Sequence, residues 1–300
     1  MLKRAFYGIL LALTLLGCNS GTEEPLRIVF TGDVLLDRGV APTIEKIGVE
    51  ALFDGVRDVF DNADEVVINL ECPLANKESP VHKKYIFRAD TSCASQLRRA
   101  GVTIANMANN HTVDHGMAGL ESTAEALQNA GILMVGYGST PLEPLVLRKK
   151  GIDVALFASC TLPIENWIYG KGVSQASISD LCTAIREYRD NNPKAKIITI
   201  LHWGVEMQTS PNPQQKIDAQ RLIMAGADAI IGHHPHVVQP TKTINGRTVW
   251  FSLGNFVFDQ HFPDSRKAQM ASLEIYKDTI ICKTHNVEIV GNCPKLVNEK

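Results

Sequence analysis

Six apolar, strand-like runs in this chain each stop at a short cluster of Asp, Asn, Glu or His, and that repetition narrows the folds open to it. Leu26-Arg27-Ile28-Val29-Phe30-Thr31 runs into Gly32-Asp33, with Asp37-Arg38-Gly39 behind. Glu65-Val66-Val67-Ile68 runs into Asn69-Leu70-Glu71. Val102-Thr103-Ile104-Ala105 leads into Asn106-Met107-Ala108-Asn109-Asn110-His111, then Asp114-His115-Gly116. Lys196 to Leu201 delivers His202-Trp203-Gly204-Val205-Glu206, and Ala229-Ile230-Ile231-Gly232 delivers His233-His234-Pro235-His236. Thr248 to Leu253 delivers Gly254-Asn255-Phe256, with Asp259 close behind. Helix-like segments lie between: Gly119 to Ala130 before Gly131, Ser179 to Arg189, and Pro213 to Ala225 before Gly226. A glycine just past the last turn is a common helix stop. Strands alternating with helices predict an α/β layer structure with buried sheets. In such folds the loops at the carboxyl ends of strands gather on one edge and build the site.

Three imidazoles within His233-His234-Pro235-His236 are hard to assign to core packing. Neutral imidazoles crowd a cation without repelling one another and are common metal ligands. His234 and His236 flank one residue, so an extended backbone would turn both to one side. With carboxylates and an amide oxygen they form a mixed oxygen–nitrogen set suited to Zn, Mn or Fe. The candidate ligands are Asp33, Glu71, Asn110, His202, His234 and His236. Such a site would polarise an anionic substrate and acidify water. His111 is placed to protonate a leaving group, Asp114 to orient that imidazole, and Arg38 to hold a phosphate or carboxylate. Asn69, Glu206, His233 and Asn255 belong to the same strand-end clusters and are assigned to substrate binding. Several also have a plain structural reading: Asp33 as a loop cap, Glu71 as a strand-end charge, His202 as a core residue beside Trp203, Asn255 as a left-handed turn, Arg38 as a solvated cation. His82, His261 and His285 stand alone and are read as structural or surface residues.

These clusters, in this order, resemble the bacterial capsule-synthesis CapA family, linked to poly-γ-glutamate production. The signatures are Gly32-Asp33 with Arg38, Asn69-Leu70-Glu71, Asn109-Asn110-His111 with Asp114 and Gly116, His202-Trp203-Gly204 with Glu206, Gly232-His233-His234-Pro235-His236, and Gly254-Asn255-Phe256. The resemblance extends from Arg27 to Asp259 and reaches the calcineurin-like metallophosphatases, implying a four-layer α/β/β/α sandwich with its site at one edge. Departures bear on chemistry. The metallophosphatases begin with Asp-x-His, and Leu35 stands at the His position here. Asn69-Leu70-Glu71 replaces their bridging aspartate motif, while Asn109-Asn110-His111 and His234-Pro235-His236 keep the amide and imidazole positions. The resemblance therefore implies one firmly held divalent metal and a second that is weak or absent.

The amino terminus carries Lys3-Arg4 and then an apolar run from Ala5 to Leu16, the pattern of a signal peptide. Leu15-Leu16-Gly17-Cys18 resembles a bacterial lipobox, so residues 1–17 read as a lipoprotein signal, Cys18 as the lipidated residue and 18–25 as a tether. Asn19 after that cysteine favours the outer membrane if the source is Gram-negative. Residues 26–295 are one domain's worth of chain. The 30 basic and 32 acidic side chains leave a net charge of −2 with no basic run, so nucleic acid is not an expected partner. Six further cysteines follow Cys18, of which Cys282 and Cys293 are placed to clasp the C-terminal hairpin, although spacing fixes no pairing. Gly170 to Ala176, beside Trp167 and Tyr169, reads as a loop near the site edge. The alternating tail from Ala268 to Val290, turning at Lys277-Asp278, is expected to complete the second sheet. The leading expectation is a membrane-anchored, metal-dependent hydrolase or transferase acting on an anionic polymer or its phosphorylated precursor. The rival is a non-catalytic accessory protein that binds polymer and supports a synthase complex.

Overall fold

The computed structural model describes residues 23–138, 142–164 and 172–297; Cys18 with its signal, and Trp167 and Tyr169, lie outside these. Along the chain run β1 (Leu26–Val34), α1 (Ala41–Ala51), α2 (Arg57–Asp61), β2 (Glu65–Leu70), α3 (Cys93–Arg99), β3 (Ile104–Asn106), α4 (Gly116–Asn129), β4 (Leu133–Val135), β5 (Tyr137–Gly138), β6 (Leu145–Lys149) and β7 (Ile152–Cys160). Then come β8 (Gly172–Val173), α5 (Ile178–Asn191), β9 (Lys196–His202), α6 (Pro213–Ala225), β10 (Ala229–His233), β11 (Val238–Ile244), β12 (Arg247–Leu253), β13 (Asn255–Val257), β14 (Lys267–Ile275), β15 (Ile280–Val290) and β16 (Cys293–Leu296).

Two sheets carry the fold. One is ordered β16-β15-β14-β1-β2-β3-β4, with β13 also on β1; the other is β11-β12-β10-β9-β7-β6. Side-chain alternation along each strand sorts the apolar residues into three cores. Ile28, Phe30 and Val67 of the first sheet meet Ile198, Ile200 and Ile231 of the second between the sheets. Val29, Val66 and Ile68 face the opposite way, against Leu97 of α3 and Leu120 of α4. On the far side Ile197, Leu201 and Ile230 pack on Leu181 and Ile185 of α5 and Leu222 of α6. Helices, sheet, sheet and helices thus form the expected four-layer α/β/β/α sandwich. Each fully buried Leu, Ile or Phe contributes roughly 1.5–3 kcal/mol relative to exposure, so the three cores dominate the driving force.

The helix ends follow their local chemistry. Asn212 and Gln215 form a reciprocal capping box at the start of α6, with Pro213 at its first position, and Gly226 closes the helix at φ 119. Two expectations change here. The tail hairpin β14–β15 joins β1, antiparallel, and so extends the first sheet rather than the second. Cys282 lies opposite Leu273 while Cys293 lies opposite Val290, near the other end of β15; both thiols are free, as are the other four described cysteines. Gly172 and Val173, inside the expected loop, form a short ribbon with β5.

Candidate metal centre

Strands β1, β2 and β3 run parallel in one sheet, and β7, β9, β10 and β12 run parallel in the other. Their carboxyl ends meet at one edge of the sandwich. Asp33 is level with Asn69 on β2 and Asn255 on β13, and His202 is level with His233. Close backbone approach makes this possible. A Cβ at Gly32 would lie 2.2 Å from the Gly254 carbonyl, and one at Gly232 would lie 2.1 Å from that of Phe251.

The strand β10 stops at His233, and the chain then turns sharply: His234 has φ 96 and His236 has φ 57. The two rings are therefore gathered by left-handed backbone, not by the alternation of an extended strand. Such conformations cost about 1–3 kcal/mol each and persist where surroundings impose them. Here Trp203 N donates to His233 O at 3.1 Å, Met207 N donates to Pro235 O at 2.9 Å, and the Trp203 indole donates to Phe251 O at 2.9 Å.

Asp33 and Glu71 are both fully buried, with contrasting surroundings. Asp33 accepts from the Asn69 amide at 2.8 Å, and the Nδ1 atoms of His233 and His236 lie 3.2 and 3.3 Å away. The His233 contact lacks the alignment of a hydrogen bond. Burial pushes the Asp33 carboxyl up, but these imidazoles outweigh it and hold it well below the usual range. Neither Glu71 oxygen has a hydrogen-bond partner. His236 Nε2 at 3.5 Å and His202 Nε2 at 3.9 Å approach Oε1 without bonding it. Burial, reinforced by the Asp33 charge, raises the Glu71 carboxyl well above its ordinary value. His236 is lowered by burial, but Glu71 and Asp33 override this and lift it to about 9. Its Nδ1 donates to Asn255 Oδ1 at 2.9 Å, which leaves Nε2 turned to Glu71. His234 is depressed to about 3 by burial and by His236, and its buried Nδ1 has no partner. His202 is likewise held neutral by burial and by His234, with Nε2 2.8 Å from Asn110 Oδ1.

A buried carboxyl group without donors is costly unless a cation joins it. Ligand atoms of Asp33, Glu71 and His236 lie within 4.8 Å of one another, and so do those of Glu206, His234 and His236. The donor set fits a divalent transition metal, with imidazole and carboxylate ligands oriented by hydrogen-bonded amides behind them. Glu206, assigned from sequence to substrate, belongs by position with His234 and His236. Leu35 is buried in the helix-side core and offers nothing.

Three other assignments move. Asn69 is fully buried, donating to Asp33 and accepting from the Asn106 amide at 2.9 Å. Asn255 is equally buried, accepting from His236 and donating to Gln260 Oε1 and Ser265 O. His233 is buried against Asp33. All three are buried, with their side chains engaged by the candidate ligands Asp33 and His236. Arg38 is partly exposed, but its Nε is taken by Asp259 at 3.1 Å and its guanidinium lies over the Phe87 ring.

His111 and Asp114 come together as expected, with Nδ1 2.7 Å from Asp114 Oδ2. Burial, first, and nearby cations lower the His111 imidazole despite Asp114. Sequence reasoning missed two neighbours: Phe87 stacks on His111 at 4.0 Å between ring centroids, and Lys83 bonds Asp114 Oδ1 at 2.8 Å. Both come from the polar stretch after Glu71, and their sequence signal is the mixing of cations and aromatics in Lys83-Lys84-Tyr85-Ile86-Phe87-Arg88.

Residues 27–260 match the bacterial capsule synthesis protein PGA_cap family. The PGA biosynthesis protein CapA of Bacillus subtilis is 28% identical over 86% of this chain and 70% of its own. The capsule biosynthesis protein CapA of Bacillus anthracis is 28% identical over 92% and 70%. A polyglutamine synthesis accessory protein assigned in Mycobacterium tuberculosis is 28% identical over 62% and 53%. Among solved structures, a candidate 5′-nucleotidase from Staphylococcus aureus superposes with TM-score 0.52 at 10% identity, covering 90% of this chain and 54% of that one. TT1561 of Thermus thermophilus gives 0.50 at 10%, covering 86% and 98%. The fold is thus that of the metallophosphatases, and the chain belongs to the bacterial capsule synthesis PGA_cap family.

Proposed function

With membership of that family as the premise, we propose that this chain is a metal-dependent hydrolase or transferase of the cell envelope, acting on an anionic polymer or its phosphorylated precursor. The observation that carries the reading is the pair of unpartnered Glu71 oxygens beside His236 and His202. Glu71, His234 and His236, with Asp33, Asn110, His202 and Glu206 around them, would hold a divalent ion of the Mn, Zn or Fe type. When bound, such an ion supplies positive charge for a substrate oxygen and acidifies water. Asp33, Asn69 and Asn255 fix the ligand imidazoles and keep them from turning. His111 donates its Nδ1 proton to Asp114, so its Nε2 is the nitrogen that exchanges a proton with a leaving group. An anionic substrate beside His111 favours the imidazolium that a general acid requires. Arg38, released from Asp259, would steady the anion.

A second reading has its own support. Leu35, where metallophosphatases carry a ligand histidine, is buried in the core, and the mycobacterial relative is named an accessory protein. In that reading the same edge binds polymer without turning it over and supports a synthase complex. Under either reading, lipidation of Cys18 would tether the domain to a membrane, the outer one in a Gram-negative cell. The test is a metal-loaded sample offered phosphoesters and amide-linked glutamate polymers, beside His111→Ala. The hydrolase reading expects turnover that falls about 10²–10⁴-fold in the variant with metal content unchanged. Polymer binding of equal affinity in both proteins, with no turnover in either, supports the accessory reading and ends the first.

A further inference from the structure

The stretch from Asn76 to Lys84 reads in sequence as a polar surface loop, yet the Lys83 side chain is only 11% exposed. Its ammonium reaches three atoms of one turn. It donates to Asp114 Oδ1 at 2.8 Å and to the Asn110 carbonyl at 2.6 Å, and it lies 3.3 Å from His111 Nδ1. The loop that carries it is pinned at its base, where Ala75 N donates to Ala89 O and Ala89 N donates to Pro73 O, both at 2.9 Å. It is clasped to the same turn twice more: Val81 N donates to Asp114 O, and Phe87 N donates to Asp114 Oδ2, again both at 2.9 Å. Phe87 then covers the face of the His111 ring.

We propose that Lys83 is a positioning residue, which fixes the His111 tautomer and the place of the Asn110-His111 turn by holding the Asp114 oxygen that the imidazole does not use. This inference rests on the proposed role of His111. Asp114 is an acceptor, so the hydrogen of its 2.7 Å contact must sit on His111 Nδ1. That nitrogen then cannot also accept from Lys83, and the 3.3 Å approach is a contact between charge and dipole. The ammonium has three hydrogens, and two are committed to Asp114 and Asn110. Those two bonds link the carboxylate that orients His111 with the backbone that carries Asn110, whose side chain reaches His202. Lys83 also balances the Asp114 charge. With the lysine in place, His111, Asp114 and Lys83 are together neutral near the buried Glu71. Without it, Asp114 Oδ1 would lose its donor and the carboxylate its tie to the Asn110 backbone, so the group could turn from the imidazole and release the ring to exchange tautomers.

The experiment reads the imidazole directly. Long-range ¹⁵N–¹H correlation spectra of the full-length protein, metal-stripped and Zn-loaded, report which ring nitrogen of His111 carries the proton; His111→Gln assigns the signals. The expected wild-type pattern is a single Nδ1–H tautomer. Lys83→Met is expected to lose that single pattern while the circular dichroism spectrum stays native, and Lys83→Arg to restore it. A folded Lys83→Met protein that keeps the single Nδ1–H tautomer overturns the proposal, as does Lys83→Arg behaving like Met. Should the methionine variant not fold, Lys83→Gln carries the same comparison. No substrate enters the measurement, so an absence of turnover, which would sink the hydrolase reading, leaves this result independent.

Discussion

Glu71→Gln should separate stability from function in opposite directions. The substitution keeps the shape of the side chain and removes the buried negative charge. In the metal-stripped wild type both Glu71 oxygens are buried without a donor, and burial with Asp33 nearby raises its carboxyl. Whether that group keeps its charge or takes up a proton, the folded state bears the penalty. An unsatisfied buried group costs about 1–3 kcal/mol, and more if charged. The substituted amide carries no charge and offers donors to the Asp33 side, so the stripped variant should be more stable by about 1–3 kcal/mol. At about 2–4 °C per kcal/mol for a chain approaching this size, Tm should rise by about 2–12 °C. Metal should reverse the order. Free metal at about a hundred times Kd stabilises the wild type by about 2.7 kcal/mol, roughly 5–11 °C, and the Glu71→Gln variant should forfeit most of that gain. Calorimetry in a chelator and then in added Mn or Zn measures both arms. The reasoning is refuted if the stripped variant melts below the stripped wild type, or if metal raises both equally.

Gly232→Ala places a methyl 2.1 Å from Phe251 O and must part β10 from β12; urea unfolding should show a loss of at least about 1–3 kcal/mol. Asp64 accepts from Arg27 N and Lys150 Nζ, each at 2.8 Å; burial raises its carboxyl, and these donors outweigh it to lower the value below 3.8. Its contribution is present above the unfolded value and is lost as pH falls through the folded one. Asp64→Asn should therefore cost about 0.5–1 kcal/mol at about pH 6, and its gap from wild type should close as pH drops below 3.8, read from urea midpoints. Asn255→Ala removes the acceptor that aims His236; metal affinity should fall about 10–100-fold by competition with a chelator, with the fold intact.

Much of the sandwich was legible because parallel sheets bury both faces, so their strands stand out as apolar runs and their polar ends mark one edge. Pro213 to Ala225 was legible to the residue because its end signals are local: Pro213 opens it and Gly226 closes it. The assembly of His234 and His236 was legible only as composition. Their positive φ angles depend on β10, Trp203 and Met207, which no local pattern records. The tail read correctly as a hairpin, but alternation fixes which face is buried and not which neighbour is paired; β1 takes it in a register running from Leu26 opposite Ile275 to Phe30 opposite Ala271. Asn69, Asn255 and His233 have the residue types of contact residues, and their burial against Asp33 and His236 is set by tertiary contacts that no local pattern records. Lys83 was invisible because a lysine near Glu78, Lys77 and Lys84 reads as solvated, while its partner Asp114 lies 31 residues on.

The central claim is that the strand ends gathered around Glu71 and His236 hold a divalent metal. Elemental analysis of the full-length protein, as purified and after incubation with Mn or Zn, beside a His234→Ala/His236→Ala double variant, tests it most directly. The account predicts at least one equivalent of metal per chain in the wild type and none in the double variant. No bound metal in the wild type after incubation, or equal metal in both proteins, contradicts it.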